Sequence, residues 1–435
     1  MNCEEKSLSK KKTRKIRWYK LDNTAHLFPV IAGENMTNVY RISVELQEDI
    51  MPEPLQEALD IVLPKFDVFN VRLRRGVFWF YFEENGKKAP KVHEENTFPC
   101  RFIRQNRNRS YMFRVTYYKK RINLEVFHIL TDGMGGINFL RELTYQYLRI
   151  VHEELRDDGI DRLSKDTSLN REDSFMQNYK QSKKSGFARQ KAYLIKQEKL
   201  SPGELGLMHG KMSIDKLKAA AKNYGASINE YLVAVFAWSI YVECLHTMPS
   251  NKPIRIAVPV NLRPYFDSVT TRNFFVVVSA EFWPKEQKRY SFEEVLTDIV
   301  GNLRSQIQKE HLEDLFSYSV SNQKNKFLRV FPLFLKNIAI KVVYTQSALA
   351  NTTTVTNIGN IQVEEAYRDY IENFHAFISA SKGQFIKGTI CSYKNTLTFT
   401  ISSLFAETHI QQGIFRKLAE DGVDVTIETN GVYYE

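Results

Sequence analysis

Two periodicities alternate along the chain. "NVYRISVEL" (38–46), β-branched with alternating apolar positions, predicts a strand. In "EPLQEALDIVLPKF" (53–66) Leu55, Leu59, Val62 and Phe66 recur at helical spacing, and Pro64 must bend or end the last turn. "GVFWFYFEENG" (76–86), apolar on both faces and closed by Asn-Gly, reads as a buried strand and turn. "SYMFRVTYY" and "INLEVFHIL", joined by Lys119-Lys120-Arg121, predict a hairpin whose second strand puts Ile122, Leu124, Val126 and His128 on one face. From Gly136 onward Ile137, Leu140, Leu143, Tyr147, Val151 and Leu155 step by three and four, an amphipathic helix.

The second half repeats the mixture. "MSIDKLKAAAKNYG" is a helix with Ser213 as its cap and Gly225 at its end, and "SINEYLVAVFAWSIYVECL" opens on a capping box of Ser227 and Glu230. The latter is apolar nearly all round, which predicts complete burial. "PIRIAVPVNLRPYF" and "RNFFVVVSAEF" read as strands, and Ser291 with Glu294 caps a helix facing inward through Val295, Ile299, Leu303 and Ile307. "TTTVTNIGNI", the hairpin pair "FIKGTICSY" and "TLTFTISS", a helix through "ETHIQQGIFRKLAEDG" and the strand "VDVTIET" complete the reading. Strands and helices mix in both halves, so the class is α/β with mixed sheets.

A length of 435 residues suggests two domains with a cleft between them. A basic leader occupies 1–15, an N-terminal subdomain 16–160, a charged connection poor in apolar residues 161–204, and a C-terminal subdomain 205–435. With 43% hydrophobic and 26% charged residues, each half can build a core. Cys3, Cys100, Cys244 and Cys391 form no CxxC pair, and the histidines show no HxxH or HExxH spacing, so neither a disulfide framework nor a metal site is expected. The first residues lack an apolar signal core, and no window reaches the roughly 18 apolar residues of a spanning helix. The expectation is a cytoplasmic protein without a membrane span.

Charge adds one feature. Net charge is +11, and residues 101–121 hold eight Arg or Lys and no acid. A solvated basic face, a site for the phosphates of a cosubstrate, a surface for an acidic carrier protein and a nucleic-acid surface are all compatible with such a run. No zinc-finger, RNP-like or basic-zipper pattern supports the last, so nucleic acid is not an expected partner.

The chemistry concentrates in "EVFHILTDGMGGINFLREL" (125–143). A neutral imidazole accepts a proton near physiological pH and can return it, as general acid–base catalysis requires; a lone histidine at a strand end is also a common structural residue. The spacing His128-Ile-Leu-Thr-Asp132-Gly133 resembles the HxxxDG motif of the superfamily that includes chloramphenicol acetyltransferase, peptide-synthetase condensation domains, wax ester synthases and alcohol acetyltransferases. "SIDKLKAAAKNYGASINEYLVAVFAWSI" is similar to the paired helices that open that family's second half. "VPVNLRPYF" resembles its Pro-Val-Asn-Leu-Arg segment, and "VTNIGNI" its later Ser/Thr-Asn-x-Gly strand. Condensation domains usually carry two adjacent histidines, whereas the first place here is Phe127, which favours the alcohol acetyltransferase and wax ester synthase branch.

The resemblance implies two chloramphenicol acetyltransferase-like subdomains, each a mixed sheet flanked by helices, with an active-site channel between them. It implies acyl transfer from acyl-CoA, a cosubstrate rather than a bound cofactor, to a small alcohol or amine, with His128 as general base. An acidic carrier protein delivering the thioester, and a condensation-like binding protein without turnover, are the alternatives. Arg or Lys residues at the channel mouth would hold the donor's phosphates. Asp132 and Gly133 would be structural: Asp132 caps the helix, or pairs with Arg263 to fix the loop that orients the histidine. Thr356 and Asn357 are candidate oxyanion donors, or strand-end hydrogen-bonding residues.

Overall fold

The computed structural model describes residues 17–156, 162–181, 190–325 and 330–433. The basic leader 1–15, and parts of the charged connection, lie outside the described residues. Three sheets organise the chain. The first is a small antiparallel sheet in the order Trp18–Lys20, Phe80–Glu84, Val71–Arg75. The second has five strands in the order Ile371–Ile378, Val39–Leu46, Arg121–Phe127, Phe113–Tyr118, His93–Glu94. The third has seven: Phe275–Phe282, Ile254–Asn261, Thr353–Asn360, Ile386–Tyr393, Thr396–Ser403, Gly206–Ser213 and Thr426–Thr429. The two larger sheets are mixed. Thr353–Asn360 runs parallel to both its neighbours, and His93–Glu94 runs parallel to Phe113–Tyr118.

Two apolar cores form. One lies between the five-stranded sheet and the helices Pro52–Val62 and Gly133–Val151; the other surrounds the helix Ile228–Glu243. Strand Ile371–Ile378 comes from the C-terminal half yet pairs with Val39–Leu46, so residues from both halves build one sheet. Side chains of the seven-stranded sheet tie to it: Ser402 Oγ donates to the Ile378 carbonyl at 2.8 Å, and Asn373 Nδ2 donates to Thr398 Oγ1 at 3.4 Å. The two larger sheets therefore meet along the strand Ile371–Ile378, the neighbour of the strand that carries Tyr40.

Local chemistry explains where the elements stop. Pro64 ends the α-helix at Val62 and leaves a single 3-10 turn, Leu63–Lys65. Both capping boxes are made, Ser227 with Glu230 and Ser291 with Glu294. Ser213 stands at its N-cap position without a side-chain capping bond, while Gly225, at φ +67°, ends the same helix in the left-handed region. The helix Ile228–Glu243 is buried along almost its whole length, as its all-round apolarity requires.

Two readings need correction. The motif helix starts at Gly133 rather than Gly136, because Asp132 caps it, and Leu155 falls in a separate 3-10 turn. "GVFWFYF" is not a buried strand: only Phe80–Glu84 pairs, and Val77, Phe78 and Trp79 form an exposed hairpin tip. The side chains of Val77, Phe78 and Trp79 are exposed among the described residues. The basic run 101–121 is divided: Arg104 pairs with Glu34, Arg114 with Glu125 and Arg121 with Glu45, and Arg109 donates to the Ala89 carbonyl, while Arg101, Arg104, Arg107, Lys119 and Lys120 are exposed as on a solvated basic face. Among the described residues, ion pairs take three of these eight cations.

Candidate active site

His128 is the first residue past the strand Arg121–Phe127, and its backbone N–H donates to the Asn38 carbonyl at 3.0 Å. Aromatic rings fix the imidazole plane. Phe28 stacks on it at 4.8 Å and 14°, Tyr40 meets it edge-on at 5.1 Å, and Phe275 leans against it at 5.5 Å. Such packing restrains the ring without using its nitrogens.

Hydrogen bonding then sets the tautomer. Nδ1 lies 3.1 Å from Asn273 Oδ1, and Asn273 in turn donates its amide to Asp22 Oδ2 at 3.1 Å. Because Asn273 uses its N–H on Asp22, its carbonyl oxygen faces the ring, so the ring donates from Nδ1. Nε2 is left with its lone pair, the form a general base needs. Asp22 is itself held by the Ala25 N–H at 2.8 Å and flanked by Arg272 at 3.7 Å. Burial pushes the Asp22 carboxyl up to about 6, with Arg272 opposing.

Burial also lowers the His128 pKa. Hydrogen bonds to its own backbone and to Asn273, and the Asp132 charge, oppose that shift, while Lys387 adds to it. Lys387 is buried on the strand Ile386–Tyr393, opposite Ser402, and burial brings its ammonium down to about 7. No hydrogen bond or ion pair satisfies the Lys387 ammonium among the described residues.

Asp132, four residues on, is saturated. Oδ1 accepts from the Gly135 N–H at 3.2 Å, which caps the helix Gly133–Val151. Arg263 grips the carboxylate bidentately, Nη1 to Oδ2 at 2.9 Å and Nη2 to Oδ1 at 3.0 Å. Oδ2 also accepts from the Phe274 N–H at 2.9 Å. Capping and pairing, posed as alternatives, occur together. Arg263 further donates to the carbonyls of Thr270 and Arg272, so the ion pair shapes the loop that presents Asn273 to His128.

The glycines differ in necessity. A Cβ on Gly135 would lie 1.9 Å from Thr131 Oγ1 and 2.2 Å from the Thr271 carbonyl, so only glycine fits there. At Gly133 a Cβ would meet only the Ile358 side chain, at an ordinary 3.6 Å. Thr356 is half-buried and its hydroxyl makes no hydrogen bond among the described residues. Asn357 is exposed, and its side-chain carbonyl accepts from the Gly359 N–H at 2.8 Å, where the strand register shifts and Gly359 takes φ +91°. The strand-end role accounts for that carbonyl. Asp22 and Asn273 were missed by sequence reasoning; the only available signal was the Asn two residues before "FVVV". Among the described residues no group of three His, Cys, Asp or Glu could hold a metal.

No family model matches the chain, and no curated protein matches it either. Solved structures do. The chain is similar to F. sporotrichioides TRI101 complexed with coenzyme A and T-2, at TM-score 0.61 and 11% identity over 94% of this chain and 99% of that one. It is similar to the polyketide synthase associated protein 5 from Mycobacterium tuberculosis at 0.59 and 15%, covering 92% and 96%. The first condensation domain of the CDA synthetase matches at 0.56 and 12%, covering 94% and 99%. The chain shares with these structures the chloramphenicol acetyltransferase-like fold, two mixed-sheet subdomains flanked by helices. Within that fold His128, Asp132 and Arg263 sit on elements from both halves of the chain.

Proposed function

We propose that this chain is an acyltransferase that moves an acyl group from acyl-CoA to a small alcohol or amine. The observation that carries the reading is the Asp22–Asn273–His128 chain, which leaves Nε2 as an acceptor within a ring clamp of Phe28, Tyr40 and Phe275. The fold supports it, since its neighbours include a trichothecene 15-O-acetyltransferase and a protein complexed with coenzyme A.

In this reading the acceptor O–H or N–H gives its proton to His128 Nε2 as the heteroatom attacks the thioester carbonyl. The new C–O or C–N bond forms and the carbonyl electrons move to oxygen. Thr356 and Asn357 are the donors proposed for that oxyanion, Thr356 through its hydroxyl and Asn357 through its amide N–H. Collapse expels the thiolate, which takes the proton back from the imidazolium. No covalent enzyme intermediate is required. Asp132, Gly133 and Arg263 act on structure: they hold the loop, not the substrate.

A carrier-protein thioester is the second donor worth testing, because condensation domains share the fold. Incubation with acetyl-CoA, longer acyl-CoAs, acyl carrier protein and a panel of acceptors, with a thiol reagent as readout, tests the proposal. The expected result is thiol release that depends on both acceptor and His128. CoA binding without release from any donor would instead identify a binding protein that has lost turnover. No helix among the described residues is long and apolar enough to cross a membrane, and the proposed place of action is the cytoplasm.

A further inference from the structure

Among the described residues two long helices carry apolar side chains on more than one face, and only one of the two is buried. Ile228–Glu243 lies inside the second core, whereas Leu333–Leu349 lies on the surface. Its inner side packs normally: Leu333 and Ala348 are buried, and Ile340 and Tyr344 rest on the first core. Its outer side is also apolar. Phe334, Ile338 and Val342 follow each other at one-turn spacing, and with Val77 and Trp79 they leave 52–72% of their surfaces exposed.

The hairpin tip belongs to the same patch. The Leu333 N–H donates to the Val77 carbonyl at 3.0 Å, and Lys336 Nζ donates to the Phe78 carbonyl at 3.0 Å. Two separate elements thus present one continuous apolar surface, larger than the scattered exposed residues of an ordinary monomer. Its charge has a single sign. From Leu315 to Val363 the sequence has no acidic residue; the described cations there are Lys324, Lys336 and Lys341, and Arg75 is exposed beside the hairpin tip.

We propose that this surface, the outer side of Leu333–Leu349 with the tip Val77–Trp79, docks the protein on an anionic lipid surface without spanning it. Apolar side chains including Trp, rimmed by cations, are what such a surface recognises. A second copy of the chain fits poorly, because a two-fold contact would set like charges against each other. A specific protein partner needs polar groups to fix its register, and the exposed residues of the patch between its lysines are apolar. The position has a consequence for the site. Leu333–Leu349 packs on the short helix Phe28–Ile31, whose Phe28 stacks on His128, and Tyr344 OH lies 3.2 Å from Met36 Sδ. The short helix Phe28–Ile31 thus touches the docked helix and, through Phe28, the imidazole.

Vesicle flotation with the full chain tests the inference. The probes are phosphatidylcholine vesicles, alone and with about 30% phosphatidylglycerol. Wild type is expected to float with the anionic vesicles and not with the neutral ones. Ile338→Glu with Val342→Glu, and separately Trp79→Ser, are expected to lower binding at least about tenfold with unchanged thermal unfolding, since each replaces an exposed apolar side chain. Trp79→Ser reads the same surface from a different element, should the double variant fold poorly. Wild type that stays unbound, or variants that float as well as wild type, would overturn the inference. So would a wild-type dimer that the same variants dissociate while no vesicle is bound.

Discussion

His128 and Asp132 stand at the two ends of one four-residue step, and their surroundings are opposite. His128 is held by rings and by a single hydrogen bond to a side chain, with one nitrogen left unoccupied for chemistry. Asp132 has both oxygens filled by Arg263, Gly135 and Phe274. A group meant to exchange protons needs a vacant coordination position; a group meant to hold a loop needs none. On the proposed function the difference separates a proton-exchanging residue from a structural one within one motif, and both are linked through the backbone from Asn273 to Phe274.

The comparison breaks most visibly at its reactive end. His128→Ala is expected to lower kcat by about 10²–10⁴-fold, the usual worth of a positioned base, with a smaller loss of thermal stability than Asp132→Ala. A comparable fall in stability would make His128 a packing residue. At the other end, Asp132→Ala and Arg263→Ala should each cost about 3–5 kcal/mol of stability, because each leaves a poorly solvated charge without its partner. Chemical denaturation of both singles and the double variant gives the coupling. The double should be hardly worse than either single, and additive losses would show that the contact carries no energy.

What the sequence made legible follows from how local the signal is. Asp132 and Arg263 were nameable because each lies in a short pattern with fixed spacing. Asp22 and Asn273 are 251 positions apart and belong to no local pattern, so their contact exists only once the halves are folded together. The same holds for strand Ile371–Ile378, whose partner is fixed by non-local pairing. Apolar periodicity shows that a face is apolar but not whether anything covers it. Ile228–Glu243 and "GVFWFYF" gave the same signal, and one is core while the other ends in an exposed tip. Leu333–Leu349 escaped notice because it lacks a side-chain cap and an amphipathic stripe.

Asn273 sharpens the comparison, since it serves the reactive end and is placed by the structural one. Asn273→Ala removes the acceptor for Nδ1–H and lets either tautomer form. Orienting partners of a functional imidazole are typically worth about 10–100-fold, so kcat should fall by that amount with KM nearly unchanged. Asn273→Gln, which cannot keep both bonds at this length, should fall between wild type and alanine. An unchanged kcat in Asn273→Ala would mean that the aromatic clamp alone orients the ring.

The smallest effect is expected from Lys387, through pH. Burial holds the His128 pKa below its usual 6.5, so the base stays unprotonated as pH falls through that value, and the acid limb of kcat/KM should lie lower than for a free imidazole. Lys387, brought to about 7 by burial, is mostly protonated where His128 titrates, and its positive charge disfavours the imidazolium. Lys387→Met removes that repulsion, so the His128 pKa rises and the acid limb moves to higher pH, by less than about one unit for a charge acting at a distance. Asp22 complicates the limb, because its carboxyl titrates at about 6 and its ionised form orients Asn273. Wild type should therefore lose activity more steeply than a single proton allows, and Asp22→Asn should restore a one-proton slope. Measuring kcat/KM between pH 5 and 8, a range that brackets the histidine value, separates the two. An acid limb that does not move in Lys387→Met would mean that the lysine's charge does not reach the base.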